Sequence, residues 1–285
     1  MPELPEVESI ATRLRVGSAQ YPSLIGMDIL STRVFWQRTI AKPSPESFAR
    51  QMQGQTIRNI RRRGKFLIFD LQGLTLLIHL RMSGDLWVEP SSQPLATHSR
   101  VCFELRGNHR LTFHDPRKFG RIWLLEDPNE VLGQLGPEPF DSRLSAESFL
   151  QKLSGVRRQI KPLLLDQRFL AGLGNIYTDE ALHCAAIHPL TLSNQVTLAQ
   201  AERLLSCIRA VLAEGIRRNG ASIDWVYRGG DFQNYFRVYR RTGMPCPICG
   251  TPIQRLTVGQ RGTHFCPQCQ PMPQPAKRSP NFSKI

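Results

Sequence analysis

Cys246-Pro247-Ile248-Cys249 and Cys266-Pro267-Gln268-Cys269 stand sixteen residues apart near the end of a 285-residue chain. Each Cys-x2-Cys pair forms a tight turn that presents two thiolates, and two such turns close the tetrahedral site that Zn²⁺ prefers. With cysteine at all four positions no place remains for a catalytic water, so the spacing predicts one structural Zn²⁺ held by Cys246, Cys249, Cys266 and Cys269. The intervening Thr251 to Phe265 reads as a hairpin, with Gly259 and Gly262 as turn residues and Arg261 at a basic tip. In a reducing compartment such pairing points to metal, not disulfides. Cys102, Cys184 and Cys207 are scattered and read as core thiols.

Upstream of this module the texture is helical. Ser145 to Leu153, Lys161 to Asp166 and Ile176 to Ala186 are candidate helices, and the clearest runs from Thr197 to Arg218. There Thr197 and Gln200 match a capping box, Ala201, Leu204, Leu205, Ile208, Val211 and Leu212 form one apolar face, and Gly220 is placed to end the helix. Leu135-Gly136-Pro137-Glu138-Pro139 reads as a hinge before this helical bundle. Further upstream, from about Leu24 to Glu126, the period shortens to that of an antiparallel sandwich or barrel: Thr56 to Leu71, Leu74 to Val88, Arg100 to Leu105, Leu111 to Phe113 and Arg121 to Leu125. Gly64, Gly73, Gly84, Gly107 and Asn108 punctuate these runs. A first helix over Pro5 to Arg15, with Val7, Ile10, Ala11 and Leu14 on one face, holds the N-terminus. The class is therefore α+β and multidomain: an N-terminal helix plus antiparallel β-sandwich, a helical unit, and a C-terminal zinc-ribbon hairpin. The boundaries fall at 1–134, 135–235 and 236–270, with a Pro-, Lys- and Ser-rich tail over 271–285 expected to be disordered.

Composition narrows the partner. Thirty-seven Lys and Arg against 23 Asp and Glu give a formal net charge of +14, which suits a polyanion, with nucleic acid first. The acidic opening Met1-Pro2-Glu3-Leu4-Pro5-Glu6 lacks the layout of a signal peptide, and apolar stretches such as Leu74 to Leu80 are too short to cross a bilayer, so a cytosolic chain is expected. Removal of Met1 exposes the secondary amine of Pro2. An α-amine titrates near 8, leaving a sizeable neutral, nucleophilic fraction where a lysine near 10.4 has almost none. Such an amine can attack a sugar carbon and form an imine, with Glu3 beside it to give or take a proton and Glu6 one turn further on. A Met-Pro start alone carries no such weight; many chains begin that way.

The whole opening reverses those odds. Pro2-Glu3-Leu4-Pro5-Glu6-Val7-Glu8 resembles the N-terminus of the formamidopyrimidine-DNA glycosylases, which remove 8-oxoguanine and ring-opened purines from DNA. The resemblance continues through His79-Leu80-Arg81-Met82-Ser83-Gly84, Asp115-Pro116-Arg117-Lys118-Phe119-Gly120, Leu135 to Pro139, Gly172-Leu173-Gly174-Asn175-Ile176-Tyr177 and the four cysteines, spanning nearly the whole chain before the tail. It implies Pro2 as Schiff-base nucleophile, Glu3 as the acid-base residue at the sugar, Lys65 as phosphate contact and proton donor in β-elimination, and Arg261 as its counterpart in δ-elimination. It further implies DNA contacts at His98, Arg117, Arg157 (with Arg158 as alternative), Lys161 and Asn175. The segment around Asn175 corresponds to a helix-two-turn-helix element, whose amides and Gly-x-Gly approach suit phosphates. Because chemistry on a base requires its extrusion, Met82, Arg117 and Phe119 are expected to fill the gap, although strand packing alone also accounts for Met82 and Phe119. Arg61, Arg62 and Arg63, just before Lys65, are expected as a phosphate-facing ridge.

One segment departs from the family pattern. Where its base-covering loop lies, within 221–237, Ala221-Ser222-Ile223-Asp224-Trp225 and Gly229-Gly230-Asp231-Phe232 replace a Gly-Thr-Thr start in a short loop. Two other readings compete. An endonuclease VIII-like enzyme for oxidised pyrimidines is disfavoured by Leu4, where Gly is more usual, and a zinc-ribbon DNA-binding protein without catalysis by the intact Pro2, Glu3, Lys65 and Arg261. The expected partner is double-stranded DNA containing oxidised bases, bound by a nucleoid-associated monomer with no membrane attachment.

Overall fold

A computed structural model describes residues 1–222 and 229–272. The Ile223 to Arg228 part of the base-covering loop and all but the first two residues of the tail lie outside them. Helix α1 (Leu4–Val16) opens on Glu3, whose side chain and that of Glu6 form a reciprocal capping box. Its Val7, Ile10, Ala11 and Leu14 are buried as the spacing predicts. The strands that follow are β1 (Ile29–Val34), β2 (Ile40–Lys42), β3 (Asn59–Arg63), β4 (Phe66–Asp70), β5 (Thr75–His79), β6 (Asp85–Pro90), β7 (Ser99–Leu105), β8 (His109–His114) and β9 (Arg121–Leu125). They form a four-stranded sheet in the order β1-β7-β8-β6 and a five-stranded sheet in the order β2-β9-β5-β4-β3.

Two elements within this region differ from the all-β expectation. Helix α2 (Pro45–Met52) starts on Ser44, which caps the Ser47 amide, with Pro45 in the first turn; Phe48 and Met52 are its buried anchors. The β2–β9 pair is parallel, while every other strand pair among the described residues is antiparallel. The middle strands of the five-stranded sheet are apolar on both faces because both are covered. Leu67, Phe69, Leu76, Ile78 and Ile122 face the main sandwich core, and the alternating Phe66, Ile68 and Leu77 meet Leu125 and Leu132 on the other side.

The helical unit comprises α3 (Asn129–Leu132), α4 (Ala146–Ser154), α5 (Ile160–Leu165), α6 (Asn175–Cys184) and α7 (Leu198–Arg217). The Thr197–Gln200 capping box is present. At the other end Asn219 takes the left-handed position (φ 55°), and the Asn219 and Gly220 amides bond the carbonyls of Ile216 and Gly215. This is a Schellman closure in which Gly220 sits one residue beyond the expected stop. Cys184 and Cys207 are not free thiols: α6 packs on α7, brings their Cα atoms to 5.7 Å, and the two are joined as a disulfide. Their separation of 23 residues hid this. Cys102 is a buried free thiol. Leu4 packs into the helical core while Val7 packs into the sandwich core, so the chain's first residues lie at the seam between the two. The ribbon is β10 (Gln254–Val258) paired with β11 (Arg261–Phe265), and Arg261 opens β11 directly after the turn.

Candidate active site and metal centre

At the seam Glu3 is held by backbone amides. Both oxygens of the Glu3 carboxylate accept from the N-terminus of α6: the Gly174 amide at 2.6 Å and the Ile176 amide at 3.0 Å. Glu3 is 3% exposed. Burial is the main cause that pushes its carboxyl up to about 7, with the nearby Glu6 charge adding and the Lys65 ammonium and Ile176 amide opposing. Near neutral pH such a group is poised to give or take a proton. Glu6 is no second acid-base residue. Its oxygens accept from the Glu3 amide, the Tyr177 hydroxyl and the Ala221 amide, each at 2.7 Å, which clamps α1 to the helical unit.

Gly172 and Gly174 correct the expectation of a phosphate approach. A Cβ at Gly174 would lie 2.2 Å from Cδ of Glu3, and one at Gly172, whose φ is +101°, would lie 2.5 Å from Cδ1 of Leu4. The glycines admit the chain's own N-terminus, and the Gly174 and Ile176 amides at the start of α6 are spent on Glu3.

Lys65 follows Gly64 in the β3–β4 turn and is 4% exposed. Burial lowers its pKa, against the pull of Glu3 and Glu6. A cavity of about 220 Å³ gathers Met1, Glu3, Lys65, Met82, Asn175 and Arg261, drawing on sandwich, helical unit and ribbon together. Pro2 is buried beneath the exposed Met1. A larger cleft of about 1140 Å³, lined by Tyr21, Trp87 and Arg117 among others, includes neither Glu3 nor Lys65.

Met82 and Phe119 are not strand core. Phe119 is 50% exposed in the turn after β8, with the Arg117 guanidinium 5.0 Å from its ring centre, and Met82 is half-buried at the cavity. Two buried groups that the sequence did not single out shape these turns. Asp115 accepts from the Gly120 amide at 2.7 Å and from the Ser83 hydroxyl, which in turn accepts from the Arg117 amide at 3.1 Å. His79 accepts from the Arg81 amide at 3.0 Å, and burial lowers its pKa to about 3, so the ring stays a neutral acceptor. His98 joins the same surface: it is exposed, and its carbonyl accepts from the Asp115 amide. Arg157 is exposed and away from the cavity, whereas Arg158 pairs with Asp166 at 2.9 Å.

Two expected phosphate contacts, Lys161 and Arg62, are turned away from solvent. Lys161 is wholly buried, its ammonium donating to Asp179 at 2.6 Å and to the Gly262 carbonyl at 3.1 Å. Of the arginine ridge, only the Arg62 side chain is turned inward; Arg63 is partly buried and Arg61 is 45% exposed, and all three are engaged by carboxylates. Arg61 pairs with Asp70, Arg62 with Glu8 and Glu138, and Arg63 with Glu138. Glu138 also accepts from the Gly64 amide, so the 135–139 segment is bolted to the turn that carries Lys65.

The four cysteine sulfurs lie within 4.8 Å of one another. A tetrahedral ion with bonds of about 2.3 Å sets its sulfurs about 3.8 Å apart. Separations of 3.4 Å (Cys249–Cys266), 3.5 Å (Cys249–Cys269) and 3.9 Å (Cys246–Cys269) fit that cage. Nε2 of His183 on α6 lies 3.4 Å from the Cys246 sulfur, an outer contact of the kind that orients a metal ligand.

Fold and cavity together define a class: three-module proteins whose cleft is built around the chain's own N-terminus. Residues 1–122 match the formamidopyrimidine-DNA glycosylase N-terminal domain, 135–226 that family's H2TH domain, and 243–271 the zinc finger found in FPG and IleRS. The formamidopyrimidine-DNA glycosylase of Protochlamydia amoebophila is 44% identical over 95% of this chain and 99% of its own length. That of Symbiobacterium thermophilum is 42% identical over 100% and 94%. The Lactococcus lactis enzyme solved with DNA containing FAPY-dG is 36% identical, with a TM-score of 0.87 over 95% of this chain and all of that one. MutM in complex with DNA containing carbocyclic 8-oxo-G is 35% identical, with a TM-score of 0.87 over the same shares. The chain belongs to the formamidopyrimidine-DNA glycosylase family.

Proposed function

We propose that this chain is a base-excision-repair glycosylase and abasic-site lyase that removes oxidised purines from duplex DNA. The observation that carries the reading is Glu3: a carboxyl poised near neutrality, held at the end of a helix, in one cavity with Lys65 and Arg261 and next to Pro2. Once Met1 is removed, the Pro2 nitrogen bonds to C1′ of the damaged nucleotide as the C1′–base bond breaks and the base leaves with a proton. Glu3 supplies acid-base service at the sugar while the ring opens to the imine. Loss of a C2′ proton then expels the 3′-phosphate, with Lys65 as proton donor, and a second elimination expels the 5′-phosphate, with Arg261 in that role. Arg117, Phe119 and Met82 fill the space of the extruded nucleotide, and His98, Arg157 and Asn175 contact the strand.

One Zn²⁺ on the four thiolates would hold the ribbon and so carry Arg261; it supplies no chemistry of its own. The protein acts as a monomer at the nucleoid, in keeping with its charge, and no helix among the described residues is long and apolar enough to cross a membrane. Relatives named for formamidopyrimidine lesions favour purine damage over the oxidised-pyrimidine alternative. The test is single-turnover excision by the full chain from duplexes carrying 8-oxoguanine or an oxidised pyrimidine. Purine excision should be faster by about tenfold or more. Equal or reversed rates would refute the purine assignment.

A further inference from the structure

Three side chains on α6, at i, i+4 and i+8, face the ribbon and grip it by different atoms. Asn175 donates to the Gly262 carbonyl at 3.0 Å, Asp179 accepts from the His264 amide at 2.9 Å, and His183 lies 3.4 Å from the Cys246 sulfur. The middle rung is the strongest. The Asp179 side chain is 0% exposed, its second oxygen takes the 2.6 Å bond from the equally buried Lys161, and Lys161 donates a further hydrogen bond to the Gly262 carbonyl. The backbone immediately after Arg261 is therefore held at Gly262 by two donors and at His264 by one acceptor, all carried by α5 and α6. The same α6 holds Glu3 through its first amides. One rigid helix thus spans the two ends of the cavity.

We propose that Asp179, with Lys161 as its buried counter-ion, is the positioning residue that sets Arg261 over the cavity, and that α6 fixes the spacing of Arg261 from Glu3. Its consequence is selective. Glu3 is held by backbone amides and does not need Asp179, whereas the register of the ribbon does. A ribbon displaced by about 1 Å penalises the step assigned to Arg261 by about a hundredfold at most and leaves the earlier steps nearly intact. The proposal rests on the role given to Arg261 above.

The test uses the full zinc-loaded chain on duplex DNA with an abasic site, separating the β-elimination and δ-elimination products. Arg261→Ala sets the reference. Asp179→Asn keeps the shape but leaves Lys161 without its counter-ion; Lys161→Met with Asp179→Leu replaces the pair by apolar groups, an exchange that is often neutral or stabilising. Both should lower the δ-to-β product ratio by about tenfold or more, with β-product formation changed by less than about threefold and zinc retained. In the double variant thermal stability should equal or exceed that of Asp179→Asn while the ratio stays low. If Arg261→Ala lowers the ratio and the double variant does not, the positioning role is wrong. If β and δ products fall together in step with stability, Asp179 is structural only, which also overturns it. An unchanged ratio in Arg261→Ala itself would instead refute the role of Arg261.

Discussion

Glu3 shows what a single residue inherits from its surroundings. Its acid form is present below about 7 and is lost as pH rises through that value, whereas the neutral Pro2 amine, near 8 in an unperturbed α-amine, is gained as pH rises. Base removal, which needs both, should follow a bell in kcat/KM with its falling side set by Glu3. Glu3→Gln should lower base removal by about a hundredfold or more and abolish that falling side, while affinity for lesion DNA changes little. A pH profile of the variant that keeps the same falling limb would assign it to another group. Gly174→Ala tests the support: the new Cβ, 2.2 Å from Glu3 Cδ, forces a shift costing about 1–3 kcal/mol and should reduce excision along with stability.

At the scale of elements, the two turns that carry Met82 and Phe119 are tied by Ser83 and Asp115. Met82→Ala and Phe119→Ala should slow excision from intact duplex by about tenfold or more, where unstacking must be offset, and act much less on a pre-formed abasic site. Single-turnover kinetics on both substrates decide this; equal losses would remove the filler role. The ribbon has its own small core of Val238, Cys246, Ile253 and Cys266, apart from the two large ones. Cys249→Ser should therefore release zinc and weaken DNA binding with the bulk fold intact, since structural zinc contributes on the order of 10 kcal/mol to isolated fingers. Metal analysis, circular dichroism and a binding titration read these outcomes. Elements with their own period or caps were legible in the sequence: α1, α7, the middle strands and the ribbon. What escaped depended on distant partners. Glu138 takes Arg62 and Arg63 from 76 and 75 residues away, Asp179 takes Lys161 inward, and Glu3 meets amides 171 and 173 residues on. No local pattern distinguishes a lysine for phosphate from one for a buried carboxylate.

For the whole molecule, a net charge of +14 makes binding to any duplex strongly salt-dependent through counterion release. Only cations that reach phosphate count toward the slope. Arg117→Ala and Arg157→Ala should each reduce it by about one, whereas Lys161→Met, altering a buried amine, should leave it unchanged. Fluorescence anisotropy at several salt concentrations measures this directly. The role of the N-terminal proline as nucleophile has a covalent test. The chain lacking Met1 is mixed with abasic-site duplex and borohydride, and the cross-linked peptide is mapped by mass spectrometry. An adduct is expected on the Pro2 nitrogen, absent when Met1 is retained and greatly reduced in Pro2→Gly. An adduct on Lys65, or trapping undiminished when Pro2 is deleted, would contradict that role.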